Sequence, residues 1–345
     1  MITGISSTLQ RALQARFAVA PMMDWTDRHC RYFLRGYSPD ALLYTEMITA
    51  EALLRGDAKR LLRFSPEEHP VALQLGGSEP ARLAAAARLG AAAGYDEINL
   101  NCGCPSDRVR AGAFGACLMR ESGLVAECVA AMRAAVALPV TVKMRIGVIE
   151  GGGVAMRAQL RNFDDEDRKL LHGFAAAVAA AGCARIIVHA RKAVLGGLSP
   201  EDNRSVPPLR HDLVRELKLA FPALQVILNG GLRTAAECEA ALAWCDGVML
   251  GREAYHRPQV LAELQQHLVD AQWRAPGPAA MLERMARYVE TGLLPGESLQ
   301  HVVRHMLGIL AGRPGAREFR RQLSEGARAP GAGAALLRAA AARLG

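Results

Sequence analysis

Eight short apolar segments recur at regular intervals between residues 17 and 253, and this spacing restricts the fold more than any other feature. The segments are rich in β-branched residues, as buried strands are. They cover residues 17–22, 41–47, 71–77, 97–103, 140–147, 185–191, 225–231 and 247–253. Most of them are separated by stretches rich in Ala, Leu and Arg that are long enough for one helix, for example 79–93, 123–137, 212–221 and 234–244.

Strands that alternate with helices form right-handed βαβ units and a parallel sheet. Eight such units in roughly 250 residues are typical of a (β/α)8 barrel, the TIM barrel of the α/β class, and this is the fold we predict. A doubly wound open sheet is the alternative. It is weaker because no G-x-G-x-x-G motif follows the first segment.

Two regions depart from the alternation. Residues 148–166 (VIEGGGVAMRAQLRNFDDE) predict an irregular, Gly-rich insertion, for which the sequence suggests no function. After residue 255 the strand pattern stops. The chain is helix-compatible at 258–271, 281–292, 296–310, 314–325 and 332–344, with a linker or turn at 272–280. We therefore expect a TIM-barrel domain over residues 1–262 and a small all-α helical domain over residues 263–345.

Composition excludes several classes of protein. The chain of 345 residues is 51% hydrophobic, enough to bury a sizeable core, yet no apolar run approaches the ~20 residues of a membrane span. The N-terminus lacks the apolar stretch of a signal peptide, and the eight Cys are scattered. We expect a cytoplasmic protein with free thiols and no membrane association, not a disulfide scaffold.

The net charge of +8 is concentrated at one end of the chain. Residues 301–345 contain eight Arg against only Glu318 and Glu325. A basic segment of this kind favours a polyanionic partner, with nucleic acid as the first candidate. A merely solubilising tail is the alternative.

The last two barrel strands end in turns suited to phosphate. Asn229, Gly230 and Gly231 close the seventh segment, and Gly251 and Arg252 close the eighth. Exposed backbone N–H groups at these two strand ends, followed by a helix start, form the usual phosphate site of a TIM barrel. A tight strand-to-helix turn without a ligand is the alternative reading of the glycines.

Polar side chains also stand within otherwise apolar strands. Gln74, Lys143 and His189 are of this kind, and burying them is costly unless they are paired or used. Lys143 could stabilise negative charge on a reduced flavin or pair with a core carboxylate such as Glu46. His189 could donate to the same ring or be a satisfied core histidine. Together with the two phosphate turns, these residues favour a phosphorylated cofactor. With one strand-end His, we expect no metal site.

Cys104 follows the fourth segment and precedes Pro105, which places a thiol at the mouth of the predicted barrel. Its spacing from Cys102 is C-x-C, which suits neither a zinc site nor a redox disulfide. The thiol could act as nucleophile, as proton donor or not at all. Proton donation requires only the neutral thiol, the dominant form of an ordinary cysteine near pH 7.

These motifs together resemble the tRNA-dihydrouridine synthases. The resemblance is carried by residues 20–27 (APMMDWTD), 74–77 (QLGG), 99–106 (NLNCGCPS), 142–147 (VKMRIG), 189–192 (HARK), 229–231 (NGG) and 251–255 (GREAY). Residues 196–208 (GGLSPEDNRSVPP) and 313–325 (RPGAREFRRQLSE) extend it to the A subfamily.

The resemblance implies an FMN enzyme that uses NADPH to reduce the C5=C6 bond of D-loop uridines 20 and 20a in tRNA. Flavin N5 would give hydride to C6, and Cys104 would protonate C5. FMN would be bound by Pro21, Met22, Met23, Gln74, Lys143, His189, Asn229, Gly230, Gly231, Gly251 and Arg252. The target base and the tRNA would be contacted by Asn101, Gly103, Arg145, Arg191, Glu201, Arg204, Arg317 and Arg320. Glu201 departs from this pattern, since a basic residue would suit RNA better. We expect a monomer on its tRNA.

Two other functions compete with this one. An FMN barrel that acts on a small molecule, such as dihydroorotate or an enone, would share the cofactor residues but would not need the Arg-rich helices. A non-catalytic RNA-binding module would need neither Cys104 nor Lys143.

Overall fold

The structure is a computed structural model that describes residues 12, 14–106, 112, 114–151, 153–294 and 296–344. Its strands are β1 (Phe17–Val19), β2 (Leu42–Tyr44), β3 (Ile48–Thr49), β4 (Val71–Gly76), β5 (Glu97–Cys102), β6 (Val140–Arg145), β7 (Val148–Glu150), β8 (Arg185–His189), β9 (Ala193–Leu195), β10 (Gln225–Asn229) and β11 (Gly247–Leu250).

The helices of the described residues alternate with these strands and then continue alone. They are α1 (Arg28–Arg35), α2 (Ala50–Arg55), α3 (Ala58–Leu61), α4 (Pro80–Ala93), α5 (Ser122–Ala135), α6 (Gly153–Arg161), α7 (Asp165–Ala180), α8 (His211–Ala220), α9 (Ala235–Leu242), α10 (Arg252–His256), α11 (Gln259–Leu268), α12 (Pro278–Gly292), α13 (Leu299–Val303), α14 (Ala316–Gly326) and α15 (Ala334–Ala342). Short 3₁₀ helices lie at Pro66–Glu68, Gly115–Arg120 and Asp202–Arg204.

Eight parallel strands close into a barrel. Their order is β1-β2-β4-β5-β6-β8-β10-β11, and β11 pairs with β1 while β2 pairs with β4. Each of these strands lies within one of the eight apolar segments, so the predicted TIM barrel is confirmed and the open sheet is wrong. The sheet closes because every strand feeds a helix that packs back on its outer face.

Successive residues of a strand point to opposite faces, and this divides the core in two. One large apolar cluster lies between the barrel and its helices and continues without a break into the C-terminal helices. A smaller cluster fills the barrel interior with Ala18, Ala20, Leu42, Tyr44, Ala72, Ile187, Ile227 and Met249. The remaining interior positions of β5 and β6 are polar, and they lead to the site described below.

The insertion at 148–166 is structured, so the expectation of an irregular loop is wrong. β7 continues from β6 and pairs in parallel with β9, which continues from β8. Helix α6 then covers this pair, with Leu160 buried against Ile149 and Val194. The insertion is a small layer of its own on one side of the barrel mouth.

The segment 296–310 is helical only over α13, and the predicted helix beyond it is wrong. Beyond α13 the backbone forms successive turns, such as the bond from the N–H of Ala311 to the carbonyl of Gly308 (3.0 Å), and the side-chain amide of Gln259 donates to the carbonyls of Gly308 and Ile309. A Cβ added at Gly308 would lie 2.6 Å from the carbonyl oxygen of His256, so the chain passes there in a tight turn.

The C-terminal helices dock on the loop that follows β1. Asp27 accepts hydrogen bonds from Arg304 (2.6 Å) and shares one with His305 (3.0 Å). Trp25 stacks on Tyr255 with ring centroids 4.4 Å apart. This side of the helical region therefore reaches the rim of the barrel mouth. The boundary expected at 262/263 falls within α11. None of the helices in the described ranges is long and apolar enough to cross a membrane.

Candidate functional site

The candidate site lies at the carboxyl ends of the barrel strands, where side chains from neighbouring strands meet. The parallel register sets Asn101 of β5 beside Lys143 of β6, Arg145 of β6 beside His189 of β8, and His189 beside Asn229 of β10. These residues point into the barrel because they share the parity of the interior cluster. The strands thus gather at one mouth the chemistry-bearing residues that lie far apart in the sequence.

The Cys104 thiol is half-buried at this mouth, and its loop is held by hydrogen bonds. The side-chain oxygen of Asn101 accepts from the backbone N–H groups of Gly103 and Cys104, both at 3.0 Å. The carbonyl of Cys104 accepts from Ala116 at 2.9 Å. The sulfur donates to the hydroxyl of Ser106 at 3.5 Å. The thiol is therefore fixed in position while its proton stays on a weak, exchangeable bond.

Lys143 is half-buried at the mouth, and its ammonium has no hydrogen-bonded partner among the residues that the structure describes. Burial, together with the charge of Arg145, lowers its pKa to about 7. Glu46 does not pair with it, because that carboxylate instead accepts from the backbone N–H of Asp24. Among the described residues, no carboxylate forms an ion pair with Lys143. An unpartnered ammonium at the mouth is suited to an anion or an electron-rich ring.

The imidazole of His189 likewise has no hydrogen-bonded partner among the described residues, although its backbone carbonyl accepts from the N–H of Arg191. Burial first, and then the charges of Arg145, Lys143 and Arg191, hold its pKa well below the usual range. The imidazole is therefore neutral at pH 7 and offers one donor and one acceptor.

Cationic side chains outnumber acidic ones at the mouth. Arg191 and Arg204 both have their pKa lowered by burial and by the charge of Arg252. Glu201 is the carboxylate that offsets Arg204. Side chains of one sign held this close make a site for a polyanion. The predicted residues Arg191, Glu201, Arg204 and Arg252 are thus brought together.

Arg145 has a different environment from the other arginines. Its guanidinium is 4% exposed and donates to the carbonyls of Gly103 (3.2 Å), Lys192 (3.2 Å) and Asn203 (2.8 Å). It ties together the loops that follow β5, β8 and β9. Its position supports the mouth rather than presenting a cation to solvent.

The glycine turn after β10 allows a ligand to approach the backbone closely. Gly230 and Gly231 have φ of +106° and +80°, and a Cβ at Gly230 would lie 2.7 Å from a ring carbon of His189. The turn is held by His211, whose Nε2 lies 2.8 Å from the carbonyl of Gly230. A backbone without side chains here can bring N–H groups up to a phosphate.

The N-terminus of α9, the helix that follows this turn, is already capped by side chains of the protein. Thr234 and Glu237 form a capping box on α9, and Glu237 accepts from the N–H groups of Arg233 and Thr234. Helix α10 begins at Arg252, and the preceding Gly251 gives it no side-chain cap. The glycine turn and the start of α10 are therefore the parts that suit a phosphate.

The loop after β1 completes the rim. Pro21 and Met22 are partly exposed and Met23 is 54% exposed, so the pair of methionines offers an apolar surface beside the mouth. Thr26 accepts from the N–H of Met22 at 2.9 Å. Asp24 adopts φ +63°, an uncommon conformation that the contact with Glu46 stabilises.

Arg317 and Arg320 are exposed on α14, away from the barrel interior. Their neighbour Arg321 is engaged with Glu318 and Glu325. Neither Arg317 nor Arg320 has an acidic partner within the described ranges. The structure leaves these two cations available to an external phosphate backbone.

Reasoning from the sequence missed three interior residues, Glu97, Asn99 and Thr141. All are at most 1% exposed, and they continue the hydrogen bonding of Gln74 and Asn101 down the barrel. The alternation Glu-x-Asn-x-Asn in β5 was the available signal, since every second residue of a barrel strand faces inward.

The donors at the mouth fit a phosphorylated flavin. Around one opening lie the Lys143 ammonium, which no described side chain binds, the neutral imidazole of His189 and the buried amide of Gln74. The methionine pair and the glycine turn beside the arginines complete it. These are the groups that would meet a ring system at one end and a phosphate at the other.

Comparisons with known proteins agree with this reading. A family model described as dihydrouridine synthase (Dus) matches residues 18–344. A tRNA-dihydrouridine(20/20a) synthase of Xanthomonas campestris pv. campestris is 55% identical over 95% of this chain and 93% of that protein. Proteins of the same name from Pseudomonas syringae pv. tomato and Salmonella typhi are 54% and 51% identical. They cover 90% and 96% of this chain, and 89% and 96% of their own lengths.

Proposed function

The chain belongs to the dihydrouridine synthase family and is therefore an oxidoreductase, and we propose that it reduces uridines 20 and 20a of tRNA to 5,6-dihydrouridine with FMN and NADPH. Relatives that bear this name match nearly the whole chain, from the barrel through the Arg-rich helices. The observation that carries the proposal is the thiol of Cys104, fixed at a cationic barrel mouth beside Lys143 and His189.

FMN would be bound along the mouth from β1 to β11. Gly230, Gly231, Gly251 and Arg252 would hold the phosphate, with Asn229 beneath them fixed by its bond to the Met249 carbonyl (2.8 Å). The ring would lie near Gln74, Lys143 and His189, with Pro21, Met22 and Met23 along its edge. When bound, FMN supplies the hydride for C6, which it first receives from NADPH.

Cys104 would supply the proton that the other carbon needs. Addition of hydride at C6 leaves the electron pair of the double bond on C5, and the thiol of Cys104 would transfer its proton there. Hydride and proton together saturate C5=C6, and the thiolate regains its proton from solvent. Arg145 and Lys143 lie close enough to act electrostatically on Cys104, so a transient thiolate is stabilised in place.

The target base would enter beside Asn101 and Gly103, with Arg191 and Arg204 on the opposite rim. A uridine must leave its stack to reach a group at the bottom of this mouth. Arg317 and Arg320 on α14 would contact the phosphate backbone of the tRNA, and residues 263–345 would act as its docking region. Glu201 is the unfavourable neighbour in this set. We also propose that the enzyme acts on tRNA in the cytoplasm and that it acts as a monomer.

The test is dihydrouridine formation in an unmodified tRNA transcript with NADPH, mapped by mass spectrometry of nuclease fragments. Replacement of Cys104 by Ala should lower the rate by about 10²–10⁴, the usual contribution of a general acid, without loss of flavin. Cys117→Ala is the matched control, because Cys117 is also a half-buried thiol of this region but donates to the carbonyl of Phe114. Normal turnover by the Cys104 variant would refute its role. Turnover of dihydroorotate or an enone but not of tRNA would favour the small-molecule alternative.

A further inference from the structure

A continuous chain of polar side chains crosses the barrel interior and ends on the loop of Cys104. We call it the polar column. It consists, from the amino ends of the strands to the carboxyl ends, of Glu97, Thr141, Asn99, Gln74 and Asn101. Four of the five are at most 1% exposed and Asn101 is 8% exposed.

The lower part of the column starts from a carboxylate. Glu97 accepts from the hydroxyl of Thr141 at 2.6 Å and from the hydroxyl of Tyr44, while Arg185 lies 3.4 Å from its other oxygen. Thr141 in turn accepts from the side-chain amide of Asn99 at 2.8 Å. A carboxylate can only accept, so the hydroxyl proton of Thr141 points toward Glu97, at the amino ends of the strands. The lone pairs of the same hydroxyl then face the amide of Asn99.

The upper part continues in the same direction. The oxygen of Asn99 accepts from the amide of Gln74 at 2.7 Å, and the oxygen of Gln74 accepts from the amide of Asn101 at 2.8 Å. The oxygen of Asn101 is left for the backbone N–H groups of Gly103 and Cys104. Every amide in the column therefore donates downward and accepts from above.

This direction is imposed from both ends. The bottom is an acceptor, Glu97, and the top consists of backbone donors, so each amide between them has one orientation that satisfies all partners. Reversing any one amide would set donor against donor or oxygen against oxygen in a site without water access. Polar networks of this kind rigidify what they hold when every member is satisfied.

We propose that Thr141 and Asn99, anchored by Glu97, are positioning residues that orient Gln74 and Asn101 and thereby fix the thiol of Cys104 for proton transfer. The inference rests on the proposed function for its catalytic part. It adds residues that touch neither tRNA nor the reacting base: Thr141 lies four residues below Arg145 on the same strand, about 13 Å at ~3.3 Å per residue.

The experiment replaces Thr141 by Val, which keeps the shape and removes the hydroxyl. Thr141→Val removes both the bond to Glu97 and the bond from Asn99. In the full-length flavoprotein, the rate at which tRNA reoxidises the NADPH-reduced enzyme should fall about tenfold, because the side chain of Asn99 is no longer oriented. The KM for tRNA should stay within about twofold, because the phosphate contacts lie elsewhere. Thr141→Ser restores the hydroxyl and should restore the rate.

A second readout does not depend on activity. Alkylation of Cys104 by iodoacetamide, followed on its own peptide by mass spectrometry, reports how freely the thiol moves. The Val variant should be alkylated about threefold faster or more, because the Asn101 oxygen that accepts from the Cys104 loop is no longer held in one orientation. Ser38→Ala is the matched control: Ser38 is a fully buried hydroxyl that donates to Gln265 at 2.7 Å before the amino end of β2.

These measurements distinguish a failure of the positioning role from a failure of the proposed function. Wild-type alkylation and reoxidation rates in Thr141→Val would overturn the positioning role, and so would a Ser variant as impaired as the Val variant. If tRNA does not reoxidise the wild-type enzyme, the proposed function is wrong, while the alkylation rates still test the column.

Discussion

Replacement of Lys143 by Met should stabilise the flavin-free protein while impairing the reaction. The side chain is half-buried, and no described residue gives its ammonium a hydrogen-bonded partner, so the folded state bears a desolvation cost that the unfolded chain does not. Burial and the neighbouring charge of Arg145 lower its pKa from 10.5 to about 7. A methionine of similar length fills the same space without that cost.

The magnitude follows from the size of the pKa shift. At about 1.4 kcal/mol per pKa unit, a shift from 10.5 to about 7 corresponds to about 5 kcal/mol. This is an upper limit, since the folded protein relaxes around a buried charge and admits water. We expect Lys143→Met to raise the free energy of unfolding by about 2–5 kcal/mol at pH 7.

The stability that Lys143→Met adds to the protein should decrease as the pH rises above 7. The folded-state pKa of Lys143 lies below its unfolded value, so between pH 7 and 10.5 the unfolded state binds a proton that the folded state lacks. Wild-type stability therefore rises with pH in this window relative to the variant. The difference should shrink to about 1–2 kcal/mol at pH 9.5.

Urea denaturation of flavin-free protein at pH 7, 8 and 9.5 measures both quantities. Lys192→Met is the control with the opposite sign, because the Lys192 ammonium is bound by Asp167 at 2.6 Å and by the carbonyls of Gln159 and Asn162. That variant should lose about 3–5 kcal/mol. A Lys143 variant less stable than wild type at pH 7, or a difference that does not change with pH, would refute the reasoning.

Other predictions address the cofactor and the tRNA. Gly230→Ala should lower flavin content at least about tenfold, since its Cβ would meet His189 at 2.7 Å at a φ that favours glycine; a fully yellow variant would contradict the phosphate turn. Arg317→Glu with Arg320→Glu should weaken tRNA binding by about 10²-fold in filter binding while the flavin content stays constant; loss of flavin would argue against a separate docking region. Wild-type affinity for tRNA should fall steeply between 50 and 200 mM salt, by about tenfold or more; a salt-independent affinity would exclude phosphate contacts.

The barrel was predictable because its signal is local. Each strand is a short apolar run, each crossover a helix-length stretch, and the handedness rule leaves few topologies. The mouth residues followed from the same logic, since strand ends converge at one face. Cys104, Lys143 and His189 could therefore be placed together from the sequence alone.

The insertion and the turn after α13 were not predictable, because their structure depends on distant partners. β7 is a strand only through its pairing with β9, more than 40 residues away in the chain. After α13 the chain turns and its carbonyls at Gly308 and Ile309 are bonded by Gln259, a residue about 50 positions earlier in the chain. The helix and strand propensities of the local sequence predict neither the β7–β9 pairing nor the turn after α13.

The polar column was predictable in part. The alternation of Glu97, Asn99 and Asn101 is visible in the sequence, but the bonds of Asn99 run to β4 and β6. The direction of the column becomes apparent only once Thr141 and Gln74 are placed beside β5. A periodic signal shows which residues face inward, whereas the hydrogen-bond direction requires the register between strands.

The most direct test of the central claim is an absorbance titration of the purified protein under anaerobic conditions. NADPH should bleach the flavin bands, and unmodified tRNA should restore them with the formation of one dihydrouridine per flavin reoxidised, whereas free uridine should not. Flavin that is reoxidised by a small molecule but not by tRNA, or a protein that binds no flavin, would contradict the account.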